Sequence, residues 1–217
     1  MTQTHSKNAD QKNGQNNGQN NGQNNGPVMV SFEATPNPKT QKFVVNRKIA
    51  DQSRDFKRNE LNLTSPLAKK LFGFPWVDAV FIGQDFVSVT KQEWVDWETL
   101  SDALASLIGE HIESKQGVLV EAKEQTTSAP NSQKTHEVDP NDSTEIQLIK
   151  SVLDREIRPA VAMDGGDVMF HKYENKVLYL HMQGSCNGCP SSTYTLKTGI
   201  ATKMREYIPD MADVEGV

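Results

Sequence analysis

Hydrophobic patterning confines any core in this chain to two separate stretches, residues 28–112 and 142–217. Outside them nothing alternates and nothing recurs at helical spacing. The chain cannot build one continuous core and is expected to fold as two modest units. Ahead of the first stretch, the unit Gln-Asn-Asn-Gly repeats three times between Gly14 and Gly26. A segment with nothing to bury cannot offset its ordering entropy, so residues 1–26 read as a disordered, solvated tail. Between the stretches, residues 114–141 include Thr126-Thr127-Ser128-Ala129-Pro130-Asn131-Ser132 and scattered charges, which read as a flexible linker. Domains are expected over 27–113 and 142–217.

In the first domain, Val28-Met29-Val30-Ser31-Phe32-Glu33-Ala34 predicts a strand that Thr35-Pro36-Asn37-Pro38 stops, and Lys42-Phe43-Val44-Val45-Asn46 predicts its partner. Ser65-Pro66 ahead of Leu67-Ala68-Lys69-Lys70-Leu71-Phe72 places a cap and a first-turn proline, with Gly73 and Pro75 ending the helix. Strands follow over 77–82 and 86–90 around Gly83-Gln84-Asp85. Leu100, Ala103, Leu104, Leu107 and Ile108 then recur at helical spacing. The pattern predicts an α/β N-terminal module. In the second domain, Asp142 and Glu145 predict a capping box, and Ile146, Ile149, Leu153 and Ile157 a helix that Pro159 ends. A hairpin over 168–182 turns at Glu174-Asn175-Lys176. Leu196, Ile200, Met204 and Ile208 mark a helix closed by Pro209, and residues 214–217 form a short last strand. The order is α-β-β-α-β, an α+β module with helices on one face of a small sheet.

Net charge is −5, with no block of Lys and Arg, which argues against a nucleic-acid partner. No run approaches the roughly 18 apolar residues of a membrane helix, and the N-terminus lacks the apolar core of a secretory signal. The cytosol is the expected compartment, where paired thiols more often bind metal or react than form structural disulfides.

The chain has two cysteines, both in Gly184-Ser185-Cys186-Asn187-Gly188-Cys189-Pro190-Ser191-Ser192. A strand ends before them and a helix starts at Pro190, so Cys189 falls near a helix N-terminus and Cys186 in the loop ahead of it. Free N–H groups and the helix dipole there favour thiolate over thiol. An iron–sulfur cluster or a structural zinc takes four protein ligands; one chain offers two, and two copies about a two-fold axis offer four. Three readings follow: a cluster shared between two copies, a zinc-bridged structural dimer, or a thiol–disulfide oxidoreductase using the pair alone. The last expects a β-α-β unit around the motif, which the predicted hairpin does not supply. A buried, inert pair of cysteines is the bland alternative.

Other candidates have weaker patterns. His171 and His181 flank the hairpin and could complete a Cys₂His₂ zinc site in one chain, but they read as ordinary strand residues, with His181 facing solvent. Asp164 and Asp167 bracket two glycines and read as a turn in which Asp caps backbone amides. Phe72-Gly73-Phe74-Pro75-Trp76, Trp94 and Trp97 read mostly as core, with a client-docking patch as the functional alternative.

Asp164-Gly165-Gly166-Asp167, then the cysteine motif, then Thr195-Leu196-Lys197-Thr198-Gly199-Ile200, resemble the C-terminal domain of the NifU/Nfu iron–sulfur proteins. Thr35-Pro36-Asn37-Pro38, Lys42-Phe43 and Ser65-Pro66-Leu67-Ala68 resemble the Nfu N-terminal domain. The resemblance implies a non-enzymatic carrier that holds a [4Fe–4S] cluster through C-x-x-C pairs from two subunits, a homodimer when loaded. It implies Cys186 and Cys189 as ligands, an upstream scaffold as donor and apo iron–sulfur proteins as recipients. The further cysteine-rich domains of full-length NifU are absent, which suggests a late-acting carrier.

Overall fold

The computed structural model describes residues 26–59, 64–119, 139, 142–186 and 190–217. The predicted tail up to residue 25, most of the predicted linker, and Cys189 lie outside these residues.

The N-terminal unit is a five-stranded sheet with two helices on one face. Its strands are β1 (Val30–Ala34), β2 (Thr40–Val45), β3 (Arg54–Lys57), β4 (Val77–Ile82) and β5 (Phe86–Lys91), in the spatial order β1-β2-β5-β4-β3. Every ladder is antiparallel, which makes this unit α+β rather than a parallel α/β layer. Helix α1 (Pro66–Phe72) starts as its sequence predicts: the Ala68 amide donates to Ser65 Oγ at 2.9 Å and Pro66 occupies the first turn. Helix α2 (Ser101–Glu113) follows a 3₁₀ turn over Trp97–Thr99. Strand side chains alternate, so Phe43, Val45, Phe56, Val80, Ile82, Val87 and Val89 meet Leu67, Leu71, Leu104 and Ile108 in one core. Each fully buried side chain of this kind contributes about 1.5–3 kcal/mol. Trp76 belongs to that core and stacks on Phe74, whereas Trp94 is exposed.

The C-terminal unit begins with α3 (Thr144–Val152), a π turn (Leu153–Ile157) and α4 (Arg158–Met163). Two details differ from the sequence reading. The cap is Ser143, whose Oγ accepts from the Ile146 amide at 3.3 Å, while Asp142 pairs with Lys150 Nζ at 2.7 Å. Pro159 does not end the helical run, because the wide π turn precedes it and proline is tolerated at the start of the next helix. Strands β6 (Gly166–Glu174) and β7 (Val177–Gly184) form the hairpin, with Asn175 and Lys176 both at positive φ. Helix α5 (Pro190–Arg205) then crosses over to β8 (Asp213–Gly216), which pairs parallel to β7. The helices bury Ile149, Leu153, Val161, Ile200 and Met204 against Val168, Leu178 and Leu180 of the sheet.

The two units touch along the other face of the N-terminal sheet. An antiparallel sheet needs only one covered face, yet β5 is buried on both, with Phe86, Val87, Ser88 and Val89 all inside. Phe81 and Phe86 are buried but belong to neither core. Their rings meet at a tilt, with centroids 5.7 Å apart, and lie in the seam, where Phe81 packs on Gly184. Ser88 Oγ donates to the Gly165 carbonyl at 2.6 Å, Lys42 Nζ to the Met163 carbonyl at 3.3 Å, and Asn37 Nδ2 to the Ser185 carbonyl at 3.4 Å.

Candidate metal centre

The cysteine loop leaves β7 through Gly184, at φ +67°, where a Cβ would stand 2.7 Å from the Gly165 carbonyl oxygen. Only glycine fits both the left-handed backbone and the contact. The Ser185 amide then donates to that same carbonyl at 3.2 Å, and its hydroxyl donates to the Asp164 carbonyl. The Asp164-Gly165-Gly166-Asp167 turn and the cysteine loop are thus stitched together. The second glycine of the turn makes room for sulfur, since a Cβ on Gly166 would lie 2.6 Å from Cys186 Sγ.

Cys186 is 5% exposed. Burial pushes its thiol up to about 11, the Asp164 and Asp167 charges push the same way, and the Ser185 hydroxyl offsets only part. This corrects the expectation of an activated thiolate: for Cys186, desolvation outweighs the helix start. Cys189 lies outside the described residues, and α5 opens directly after it at Pro190.

Cys186 lines a cavity of about 640 Å³ with Ile157, Val161, Leu196, Gly199 and Ile200 from its own domain and Pro36 from the other. Glu156 and Lys203, also in the lining, pair at 2.9 Å. Hydrogen bonds from Tyr207, Arg155 and Lys203, in that order of weight, hold the Glu156 carboxyl down at about 2. Asp167 does more than cap an amide. Its carboxylate takes a bidentate pair of hydrogen bonds from Arg158, each 2.8 Å, and accepts the Val168 amide at 2.8 Å. Arg158 also reaches Asp154 at 3.0 Å. The ion pair fixes the turn on which Cys186 rests.

His171 and His181 stand with ring centroids 4.7 Å apart, and His181 Nδ1 is 3.2 Å from the Val217 carbonyl oxygen. No third ligand joins them: among the described residues, no group of three or more His, Cys, Asp and Glu is placed to hold a metal. The sequence reading missed Arg158, Glu156, Lys203 and Pro36. The one local signal for Arg158 was its i,i+4 spacing from Asp154; its pairing with Asp167 had none.

One exclusion also changes. The sequence reading found no β-α-β around the motif, but β7, α5 and β8 form a parallel crossover with the cysteines at its strand-to-helix turn. What separates Cys186 from a redox-active thiol is instead its burial and its high pKa, the reverse of the lowered values of reactive C-x-x-C pairs.

The family profile described as "Scaffold protein Nfu/NifU N terminal" matches residues 30–115, and the "NifU-like domain" profile matches residues 149–215. The chain is 38% identical over 192 residues to the "NFU1 iron-sulfur cluster scaffold homolog, mitochondrial" of Drosophila persimilis, covering 88% of this chain and 65% of that protein. The protein of the same name from Drosophila ananassae is 37% identical over 192 residues, covering 88% of this chain and 64% of the relative. The chain therefore spans just under two thirds of the length of these curated relatives. A solution structure of a NifU-like protein from Saccharomyces cerevisiae superposes with a TM-score of 0.40 and 24% identity, covering 45% of this chain and 87% of that one. The relatives' name, mitochondrial, overturns the cytosolic expectation. The lack of an apolar signal core argued only against secretion, since mitochondrial targeting segments are amphipathic rather than apolar. With both of its domains matched in order, the chain belongs to the NifU/Nfu family.

Proposed function

We propose that this chain is a non-enzymatic carrier of a [4Fe–4S] cluster, held as cargo between two copies by Cys186 and Cys189 of each. The observation that carries the reading is the ligand count. The sequence has two cysteines, half of the four thiolates that such a cluster takes. Four thiolates require a second copy. In this reading the chain divides into a tail (1–26), an Nfu N-terminal domain (27–113), a linker (114–141) and a cluster-binding domain (142–217) of α-β-β-α-β order; the start of the predicted linker is not loose, because Val118 packs into the N-terminal core and its carbonyl accepts from Ser65 Oγ at 2.6 Å. The relatives' name supports a mitochondrial setting.

Thiolates are the ligands, so loading takes one proton from each thiol. Burial favours the protonated form of the Cys186 thiol, and the iron would displace that proton as it binds. Delivery is ligand exchange. A client thiolate forms an iron–sulfur bond as a carrier iron–sulfur bond breaks, and the released carrier thiolate takes the proton the client thiol gave up. No electron is transferred. An upstream scaffold is the donor, and apo iron–sulfur proteins are the recipients.

The test is anaerobic reconstitution with ferrous iron and sulfide, followed by iron, sulfide and native-mass analysis. The carrier yields one four-iron cluster per two chains. The β-α-β setting of the cysteines favours a second reading, a thiol–disulfide oxidoreductase. It predicts disulfide turnover by an iron-free monomer. Colourless protein with one zinc per dimer would point instead to a zinc-bridged structural dimer.

A further inference from the structure

We infer that the N-terminal domain is an intramolecular latch on the cysteine loop, and that its outer sheet face and a second copy of this chain compete for the same surface. The inference rests on the two-chain reading above.

The seam is built around the site rather than beside it. Among the described residues, Lys42, Ser88 and Asn37 of the N-terminal domain each donate to a backbone carbonyl of the two loops that frame Cys186: Met163 and Gly165 on one, Ser185 on the other. Pro36 closes one wall of the cavity that Cys186 lines. Gly165 comes so close to the N-terminal sheet that a Cβ would meet Ser88 Oγ at 2.8 Å, Thr35 Cγ2 at 3.2 Å and Lys42 Cβ at 3.3 Å. The two glycines of the turn therefore serve different contacts, Gly165 the latch and Gly166 the sulfur.

The apolar part of the seam follows the same logic. Phe81, 1% exposed, is buried without contributing to its own domain's core. Its burial depends on Gly184, the residue that launches the cysteine loop. A cluster shared about a two-fold axis brings two copies of this loop together. Pro36 and Asn37 cannot cover the loop at the same time. On separation water satisfies the polar groups of the seam, a hydroxyl, an amide, an ammonium and the three carbonyls they meet, whereas Phe81 and Phe86 lose their cover, a cost that the second copy's contacts must outweigh.

The experiment uses the full chain. In a Cys189→Ser background Cys186 is the only thiol, and its alkylation by iodoacetamide reports access to the loop. Ser88→Glu sets a carboxylate against the Gly165 carbonyl. Asn37→Ala removes one seam hydrogen bond and adds no bulk, so it serves as the mild form, and circular dichroism confirms that each variant is folded. The latch predicts alkylation faster by about tenfold or more for Ser88→Glu, an intermediate rate for Asn37→Ala, and, with both cysteines restored, faster formation of the cluster-bearing dimer. Unchanged alkylation in both folded variants overturns the latch. Faster alkylation without faster loading, where the unaltered protein does form the cluster-bearing dimer, overturns the competition. If the unaltered protein forms no such dimer, the carrier reading itself fails, and the alkylation rates alone decide whether the domains latch.

Discussion

Replacing Gly166 with alanine tests the packing of Cys186 directly. A Cβ there would sit 2.6 Å from Cys186 Sγ, 2.7 Å from the Gln183 carbonyl oxygen and 3.3 Å from Cys186 Cβ. The sulfur can swing away, but Gln183 is paired with Asp167 in the β6–β7 ladder and its carbonyl cannot. Overpacking of this kind costs about 1–3 kcal/mol, and the smaller entropy of the unfolded alanine chain returns about 0.4–1 kcal/mol. The net loss is about 1 kcal/mol. For a domain of this size each kcal/mol moves the melting temperature by about 4–8 °C, so the C-terminal transition should fall by roughly that amount. Gly199→Ala is the matched control: it lies within α5, nothing stands within 4 Å of the added Cβ, and alanine is favoured there by up to about 1 kcal/mol. Far-UV circular dichroism follows both domains, while Trp76, Trp94 and Trp97 report only the first, so the fluorescence transition should move less. A Gly166→Ala protein that melts no lower than the unaltered chain would refute this picture of the site.

Three other outcomes are expected. Arg158→Ala leaves Asp167 buried without its bidentate partner and should cost about 3 kcal/mol, the low end for a broken buried pair because the guanidinium is partly exposed; Asp167→Asn should cost less by denaturant midpoint, and equal losses would contradict the assignment. Glu156 has a depressed pKa, so its contribution to stability is complete above the unfolded carboxyl range and is lost as pH falls from about 5 towards 2. Glu156→Gln should flatten that part of the stability–pH curve, and an unaltered curve would count against the Tyr207–Arg155–Lys203 cluster. Cys186→Ser and Cys189→Ser should each abolish cluster loading, read from visible absorbance, with circular dichroism retained; normal loading in both would remove them as ligands.

The parts of the fold legible in the sequence are those set by local chemistry. Ser65-Pro66 started a helix where its cap and fixed φ required, and Asn175-Lys176 turned a hairpin between alternating strands. The cysteine pair fell between a strand and a helix. What was not legible depends on distant partners. Arg54–Lys57 has a weak strand pattern and is a strand because β4 lies beside it. The last strand reads as strand locally, but its parallel pairing to β7 appears only once α5 has crossed over. Local reasoning placed Cys186 in the loop just ahead of an electropositive helix start, whereas the Gly166 contact and the walls of the cavity, contributed from both domains, determine its burial and hence its protonation. The double burial of β5 was not legible, because Val87-Ser88-Val89-Thr90 alternates like a strand with one covered face, and Ser88 is buried only by the other domain.

The central claim is that four thiolates from two copies hold one cluster, and native mass spectrometry of the anaerobically reconstituted protein tests it most directly. The account predicts a mass of two chains plus four irons and four sulfides. A monomer, with or without iron, would contradict it.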